Sequence, residues 1–206
     1  MNYSEIRNGT AAIISNDPYL AVVIKNAGEC RLRPHKRYFL SLIDAIIGQQ
    51  LSMYAAKSIA IKVYSYFDHK PTPLKILGTS DEILRSLGLS NSKVKYIKDL
   101  SQKTISKEIS FRQIEKRSDE EIIAELTKVK GIGVWTAHMF LIFTLCRLNV
   151  LPAGDLGIKN AIQKLYNLKT LPDEKKIISI SKKYKWKPFN SIAAWYLWKS
   201  LDEKSK

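Results

Sequence analysis

Asp155 closes the loop Leu151-Pro152-Ala153-Gly154 and stands directly in front of an apolar helical pattern. A negative charge at a helix start is stabilised by the helix dipole and the free N–H groups of the first turn. In a water-poor site such a carboxylate can stabilise a developing cation, or orient or deprotonate an attacking water. An aspartate in this place is equally a helix N-cap, and the two roles are compatible. Upstream, with its Gly133 twenty-two residues before Asp155, the chain reads Leu126-Thr127-Lys128-Val129-Lys130-Gly131-Ile132-Gly133-Val134-Trp135-Thr136-Ala137. Here one helix ends, two glycines make a tight turn around an inward-pointing Ile132, and a second helix starts at once. The glycines permit positive φ and leave backbone N–H groups uncovered, so a phosphate can rest against them at the helix N-terminus. Such a contact positions a nucleic acid without reading its sequence. The same spacing also describes a plain αα-hairpin in which the glycines serve close packing.

The elements that must hold these residues have helical spacing nearly throughout. Asn16-Asp17-Pro18 opens a helix that Gly28 closes. In Lys36–Gly48 the apolar residues Phe39, Leu40, Ile43, Ile46 and Ile47 make one stripe, and Ser52 caps a run from Met53 to Phe67. Pro71 and Pro73 break the chain; short helices follow from Ser80 to Gly88 and from Asn91 to Ile105. Ser118 with Glu121 forms a capping box before Ile122–Val129. After the glycine turn one apolar helix is expected over Val134–Cys146, another from Asp155, and two more from about Pro172 and Pro188. No stretch alternates as a strand does, so the expected class is all-α, with about ten helices. No linker or repeat divides the chain. The expected organisation of residues 1–206 is one unit with two helical lobes: a central lobe of about 35–155 holding the hairpin 126–137, and a second from about 1–34 plus 156–206.

Composition narrows the function classes. Thirty-four Lys and Arg against nineteen Asp and Glu leave a net charge of +15 in 206 residues, which points to a polyanionic partner, nucleic acid ahead of a membrane surface. Denser basic groups lie at Arg31–Arg37, Lys93–Lys98 and Lys182–Lys187, each of which by itself also reads as a solvated helix face. Two cysteines, Cys30 and Cys146, are too few for a disulfide scaffold, a four-cysteine zinc site or a cysteine-held iron–sulfur cluster. No signal peptide is visible in the polar start Met1–Arg7, and Ala137–Cys146 is too short to span a bilayer. The expectation is a monomeric protein that is not secreted and acts in the cytoplasm at the nucleoid, or in a nucleus.

Val129-Lys130-Gly131-Ile132-Gly133, with Asp155 beyond a Gly/Pro-rich loop, resembles the helix–hairpin–helix DNA glycosylase superfamily. Ala45-Ile46-Ile47-Gly48-Gln49-Gln50-Leu51-Ser52 with Ala55-Ala56-Lys57 is similar to its 3-methyladenine DNA glycosylase II branch. So are Trp186-Lys187-Pro188 and Trp195-Tyr196-Leu197-Trp198. The resemblance runs from about residue 35 to the end of the chain. It implies the two-lobed helical glycosylase fold, without an iron–sulfur cluster because no cysteine-rich tail follows. It implies Asp155 as the catalytic carboxylate and Trp135, Trp198 and Met139 as walls of a base pocket. Gln50, or Leu51 if the register slips by one, becomes the wedge that fills the gap left by a flipped base. Phosphate contacts fall to the N–H groups of Gly131, Gly133 and Trp135 and to Lys128, Lys130 and Lys159. No side-chain metal site or cofactor is expected, although the resemblance allows a monovalent cation on the carbonyls of Thr127, Val129 and Ile132.

At the position just after the hairpin, bifunctional members carry a Schiff-base lysine. Here that residue is Trp135, so the resemblance implies a monofunctional enzyme that releases the base and leaves an abasic site. The expected partner is double-stranded DNA with a damaged base, and the expected activity is excision of alkylated purines. A glycosylase for oxidised, deaminated or mismatched bases, and a non-catalytic DNA-binding module, share most of these features. His138 reads as structural; Tyr54 and Tyr196 are unassigned candidates.

Overall fold

The computed structural model describes residues 3–202. Among them are twelve α-helices and no strand: α1 Tyr3–Asn16, α2 Pro18–Ala27, α3 Tyr38–Gly48, α4 Met53–Tyr66, α5 Pro73–Leu77, α6 Asp81–Ser86, α7 Asn91–Ile105, α8 Asp119–Leu126, α9 Val134–Met139, α10 Leu156–Leu165, α11 Glu174–Lys183 and α12 Asn190–Asp202. Local chemistry explains most of the starts. Ser52, Ser80, Ser90 and Ser118 each accept a backbone N–H three residues on, and Asp17, Thr72, Asp155 and Asp173 do the same for their helices. The capping box of Ser118 and Glu121 is formed in both directions.

Three elements depart from the expected pattern. Tyr3–Arg7 belong to α1, which buries only a narrow stripe, including Ile6 and Ile13, and so lacks a broad apolar signature. The Pro71/Pro73 break contains α5: Thr72 caps it and Pro73 occupies its first turn, where a missing N–H costs nothing. The helix expected over Val134–Cys146 is regular only to Met139. It then widens into a π-helical turn, Phe140–Thr144, and Cys146 has a positive φ of 56°.

The chain divides into two compact units. One comprises residues 1–34 and 141–206, the other 35–140. Residues 141–155, grouped by sequence with the central lobe, therefore belong with the terminal segments, and Asp155 goes with them. The reason lies in packing: Leu141, Ile142, Val150 and Ala153 are buried, and α10, which Asp155 caps, packs on α12. In the second unit α7 is central, packing against α3, α5 and α6, with Ile97 and Leu100 fully buried; α8 and α9 pack on each other.

The first unit is closed by one carboxylate. Asp17 is 0% exposed, and its Oδ1 accepts the N–H groups of Tyr19 (3.0 Å) and Leu20 (3.1 Å). Its Oδ2 accepts the Tyr166 hydroxyl at 2.5 Å and the Trp186 indole N–H at 2.8 Å. A buried carboxylate is tolerated because four donors replace its water. The bonds join residue 17 to residues 149 and 169 positions away, so α2 and the C-terminal helices are tied by one side chain.

Asp17→Ala removes the cap and leaves two buried donors unpaired. It should lower unfolding free energy by on the order of 4 kcal/mol, read as a lower urea midpoint at unchanged slope. A loss under about 1 kcal/mol would contradict the assigned role.

Candidate active site

Asp155 is the N-cap of α10, and its Oδ1 accepts the Ile158 N–H at 2.8 Å. The same oxygen accepts the indole N–H of Trp198 at 2.9 Å, from 43 residues further along the chain. Both readings of this aspartate therefore hold geometrically: it caps a helix, and a second donor fixes its orientation. Gly157 makes the arrangement fit. A Cβ there would lie 3.0 Å from Asp155 Oδ1 and 3.1–3.2 Å from the Trp198 indole. A Cβ there would force the carboxylate or the indole to give by a few tenths of an ångström. The Phe143 ring lies against Trp198 with centroids 5.5 Å apart and planes 34° from parallel, and Phe143 is 42% exposed. Asp155 itself is half-buried, so its carboxylate is fixed yet approachable. Trp198 thus has a bonded edge as well as a face, and it is partly buried rather than core.

In the second unit the hairpin is formed as the glycine spacing suggests, but the two glycines do different work. Gly131 has φ +81°, and a Cβ there would meet the Tyr96 ring at 2.2 Å. Both the turn and the packing demand glycine. Gly133 does not use a positive φ: it is extended at φ −95°, caps α9 without a side chain, and has open space where a Cβ would stand. Its role is to leave the backbone uncovered. Ile132 is 4% exposed and anchors the turn. The Lys130 N–H donates to Asp99 Oδ2 at 2.9 Å, so this amide is committed within the protein, while the Lys128 and Lys130 side chains are on the exposed surface.

The turn between α3 and α4 is fastened to the hairpin. Gln49 Nε2 donates to the Gly131 carbonyl at 2.7 Å, and Lys93 Nζ donates to the Ile47 carbonyl at 2.8 Å. Burial pushes the Lys93 ammonium below its ordinary pKa. Gln50 follows with φ +56°, a conformation that a non-glycine residue rarely adopts without constraint, and its side chain is exposed. Leu51, Met53 and Tyr54 beside it are exposed too, Tyr54 at 84%.

Trp135 is half exposed on the first turn of α9, and Met139 lies one turn further on the same face. His138 is half-buried, and burial holds its pKa below the ordinary histidine value. Tyr196 is buried, with its hydroxyl donating to the Gly28 carbonyl at 3.0 Å, which makes it a structural residue. The structure thus brings Asp155 and Trp198 together in the first unit, with Lys159 on the next turn of α10. Gln50, Leu51, Lys128, Lys130, Gly131, Gly133, Trp135 and Met139 all belong to the second unit, where the Gln49–Gly131 bond joins the α3–α4 turn to the hairpin. Among the described residues no group of three or more His, Cys, Asp or Glu is placed to hold a metal ion, and no helix is long and apolar enough to cross a membrane.

Sequence reasoning missed Gln49, Lys93, Tyr96, Phe143 and Gly157. Gln49 and Gly157 lie inside the motifs already singled out, and Lys93 and Tyr96 inside a basic group. Nothing in the sequence marks Phe143.

Residues 43–187 match the family model described as HhH-GPD superfamily base excision DNA repair protein. An alkylbase DNA glycosidase-like protein, mag2, of Schizosaccharomyces pombe is 35% identical over 201 residues, covering 95% of this chain and 93% of the relative. The DNA-3-methyladenine glycosylase 1 of the same yeast is 38% identical over 184 residues, 88% of this chain and 80% of the relative. A solved structure of the S. pombe 3-methyladenine DNA glycosylase in complex with abasic DNA superposes with a TM-score of 0.83 at 34% identity. It covers 95% of this chain and 97% of that one.

The division of labour between the glycines is testable by thermal unfolding. Gly131→Ala should cost at least about 2 kcal/mol, from φ strain and the Tyr96 clash. Gly133→Ala should stay within about 0.5 kcal/mol of the parent. Equal losses at the two positions would contradict the assignment.

Proposed function

The chain belongs to the HhH-GPD superfamily of base excision DNA repair proteins, and we propose that it is a monofunctional DNA glycosylase that hydrolytically excises alkylated purines of the 3-methyladenine type. The observation that carries this reading is the half-buried Asp155 carboxylate, held by both the Ile158 N–H and the Trp198 indole. The relatives named for 3-methyladenine excision, matched over most of their length, support the substrate class.

A base inside a duplex cannot reach a carboxylate fixed in the protein, so the nucleotide is extruded, at a cost of a few kcal/mol. Gln50, raised on its left-handed turn, or its neighbour Leu51, fills the vacated space. The backbone amides of Gly131, Gly133 and Trp135, with Lys128 and Lys130, hold phosphates, and Lys159 adds a contact near Asp155. The carbonyls of Thr127, Val129 and Ile132 would hold a monovalent cation, which would supply positive charge toward the phosphates.

Cleavage of the N-glycosidic bond develops positive charge on the deoxyribose. Asp155 stabilises that charge and orients or deprotonates the incoming water. An alkylated purine such as 3-methyladenine is already cationic and departs without a general acid. The electron-rich face of Trp198, beside Asp155, favours that cation by roughly 0.5–2 kcal/mol, and in the second unit Trp135 and Met139 share one helix face. Because residue 135 is a tryptophan and not an amine, no Schiff base forms, and the product is an intact abasic strand. The enzyme acts as a monomer wherever cellular DNA lies, in cytoplasm or nucleus.

The test is release of free bases from methylated duplex, identified by mass spectrometry, with the abasic product examined for strand breaks. The native protein should release 3-methyladenine without nicking the strand. Asp155→Asn should bind duplex within about threefold of native while losing at least ~10² in release rate. A protein that frees no base from any damaged duplex, or an Asn variant with full activity, would overturn the proposal.

A further inference from the structure

The basic group at Lys182–Lys187 takes no part in the chemistry above, yet it sits beside an unusual side-chain cluster within the first unit. Tyr19 at the start of α2, Tyr166 at the end of α10 and Tyr184 at the end of α11 form a closed triangle of rings. Their centroids are 4.7, 5.5 and 6.0 Å apart. With Lys176, Ser179 and Lys183 they line a depression of about 160 Å³. The Lys183 ammonium lies 5.1 Å from the centre of the Tyr184 ring.

Three features separate this from an ordinary solvated helix face. First, the rings are fixed from below: the Tyr166 hydroxyl donates to the buried Asp17 carboxylate, so the triangle is anchored to the tie that closes the unit. Second, Tyr19 is 42% exposed, which leaves aromatic surface for a ring to stack on. Third, the charge is concentrated. Residues 164–187 hold eight lysines against Asp173 and Glu174, a net +6 of the molecule's +15 in 24 positions. One exposed and two half-buried aromatic rings among ammonium groups and a hydroxyl match a ligand that is planar at one end and anionic at the other. The depression is about half the smallest size typical for a drug-sized ligand, so it admits one ring or one phosphate, with the remainder in solvent.

We propose that Tyr19, Tyr166 and Tyr184, with Lys176, Ser179 and Lys183, form a nucleoside-phosphate site that takes a single unpaired nucleotide, its base on the tyrosines and its phosphate on the lysines. The site lies at the opposite end of α10 from Asp155. Ten helical residues separate them, about 15 Å along the axis at 1.5 Å per residue. It is therefore a second contact, separate from the carboxylate that acts on the damaged nucleotide. Its occupant is either a free nucleotide or an unpaired nucleotide of a strand, and the two share the chemistry recognised.

The experiment uses the full chain and two probes: fluorescein-labelled octathymidylate read by anisotropy, and adenosine monophosphate read by calorimetry, with inorganic phosphate as competitor. Lys176→Glu/Lys183→Glu should weaken octathymidylate binding about tenfold and flatten its salt dependence. Tyr19→Ala should weaken it about fivefold through lost stacking. The control Lys62→Glu/Lys70→Glu, with the same charge change in the other unit, should lose less than about twofold. Adenosine monophosphate binding that disappears in the same variants assigns the site to free nucleotides as well. Its absence from the native protein, with the oligonucleotide effects intact, assigns it to strands. Base release from a short blunt methylated duplex should stay unchanged in all variants, so failure of the glycosylase reading and failure of this one are separately visible. Equal losses in the control, no effect of Tyr19→Ala, or phosphate competing as well as the nucleotide would overturn the proposal.

Discussion

An indole N–H pressed against the carboxylate of a helix N-cap occurs at two places among the described residues, and the first unit is organised around the pair. Asp17 receives Trp186 at 2.8 Å and Asp155 receives Trp198 at 2.9 Å. The two differ in what surrounds them. Asp17 has no exposed surface and four donors, so it is spent on structure: it closes the unit and fixes Tyr166. Asp155 is half-buried, beside a glycine whose missing Cβ lets the indole approach. One motif thus serves as a staple in one place and as an oriented, accessible anion in the other. The difference between them is desolvation, which makes a fully enclosed charge depend wholly on its protein partners.

The second unit has a comparable economy of parts. Gly131 must be glycine because its φ is positive and the Tyr96 ring occupies the space of a Cβ. Gln49 then uses the Gly131 carbonyl to fasten the α3–α4 turn, which raises Gln50 on a left-handed backbone. The hairpin and the wedge candidate are therefore not independent loops. A shift in one pulls on the other through a hydrogen bond of 2.7 Å.

Much of this was legible before any coordinates. The serine and aspartate caps, the Gly131-Ile132-Gly133 turn and the position of Asp155 follow from residue types whose local physics is strong. The misses share a cause, which is dependence on distant partners. α1 buries too narrow a stripe to announce itself, and α5 hides behind prolines that read as breakers until Thr72 is seen to cap them. The π-helical turn at Phe140–Thr144 has no local signal, and only the packing shows that residues 141–155 go with the terminal segments. Trp198 was legible as an aromatic wall but not as a donor to Asp155, because that bond spans 43 residues. The glycine pair permits positive φ at both positions and an uncovered backbone; only Gly131 uses the positive φ, and Gly133 contributes only its lack of a side chain.

The central claim is that Trp198 acts in part through Asp155, by holding the carboxylate in its productive orientation. A double-mutant cycle in single-turnover base release from methylated duplex measures this directly, using Asp155→Asn, Trp198→Phe and the double variant. Phenylalanine keeps an aromatic face and removes only the N–H. The account predicts a clear loss from Trp198→Phe alone and a double variant no slower than Asp155→Asn. Losses that add in full would show that the two residues act independently and would contradict it.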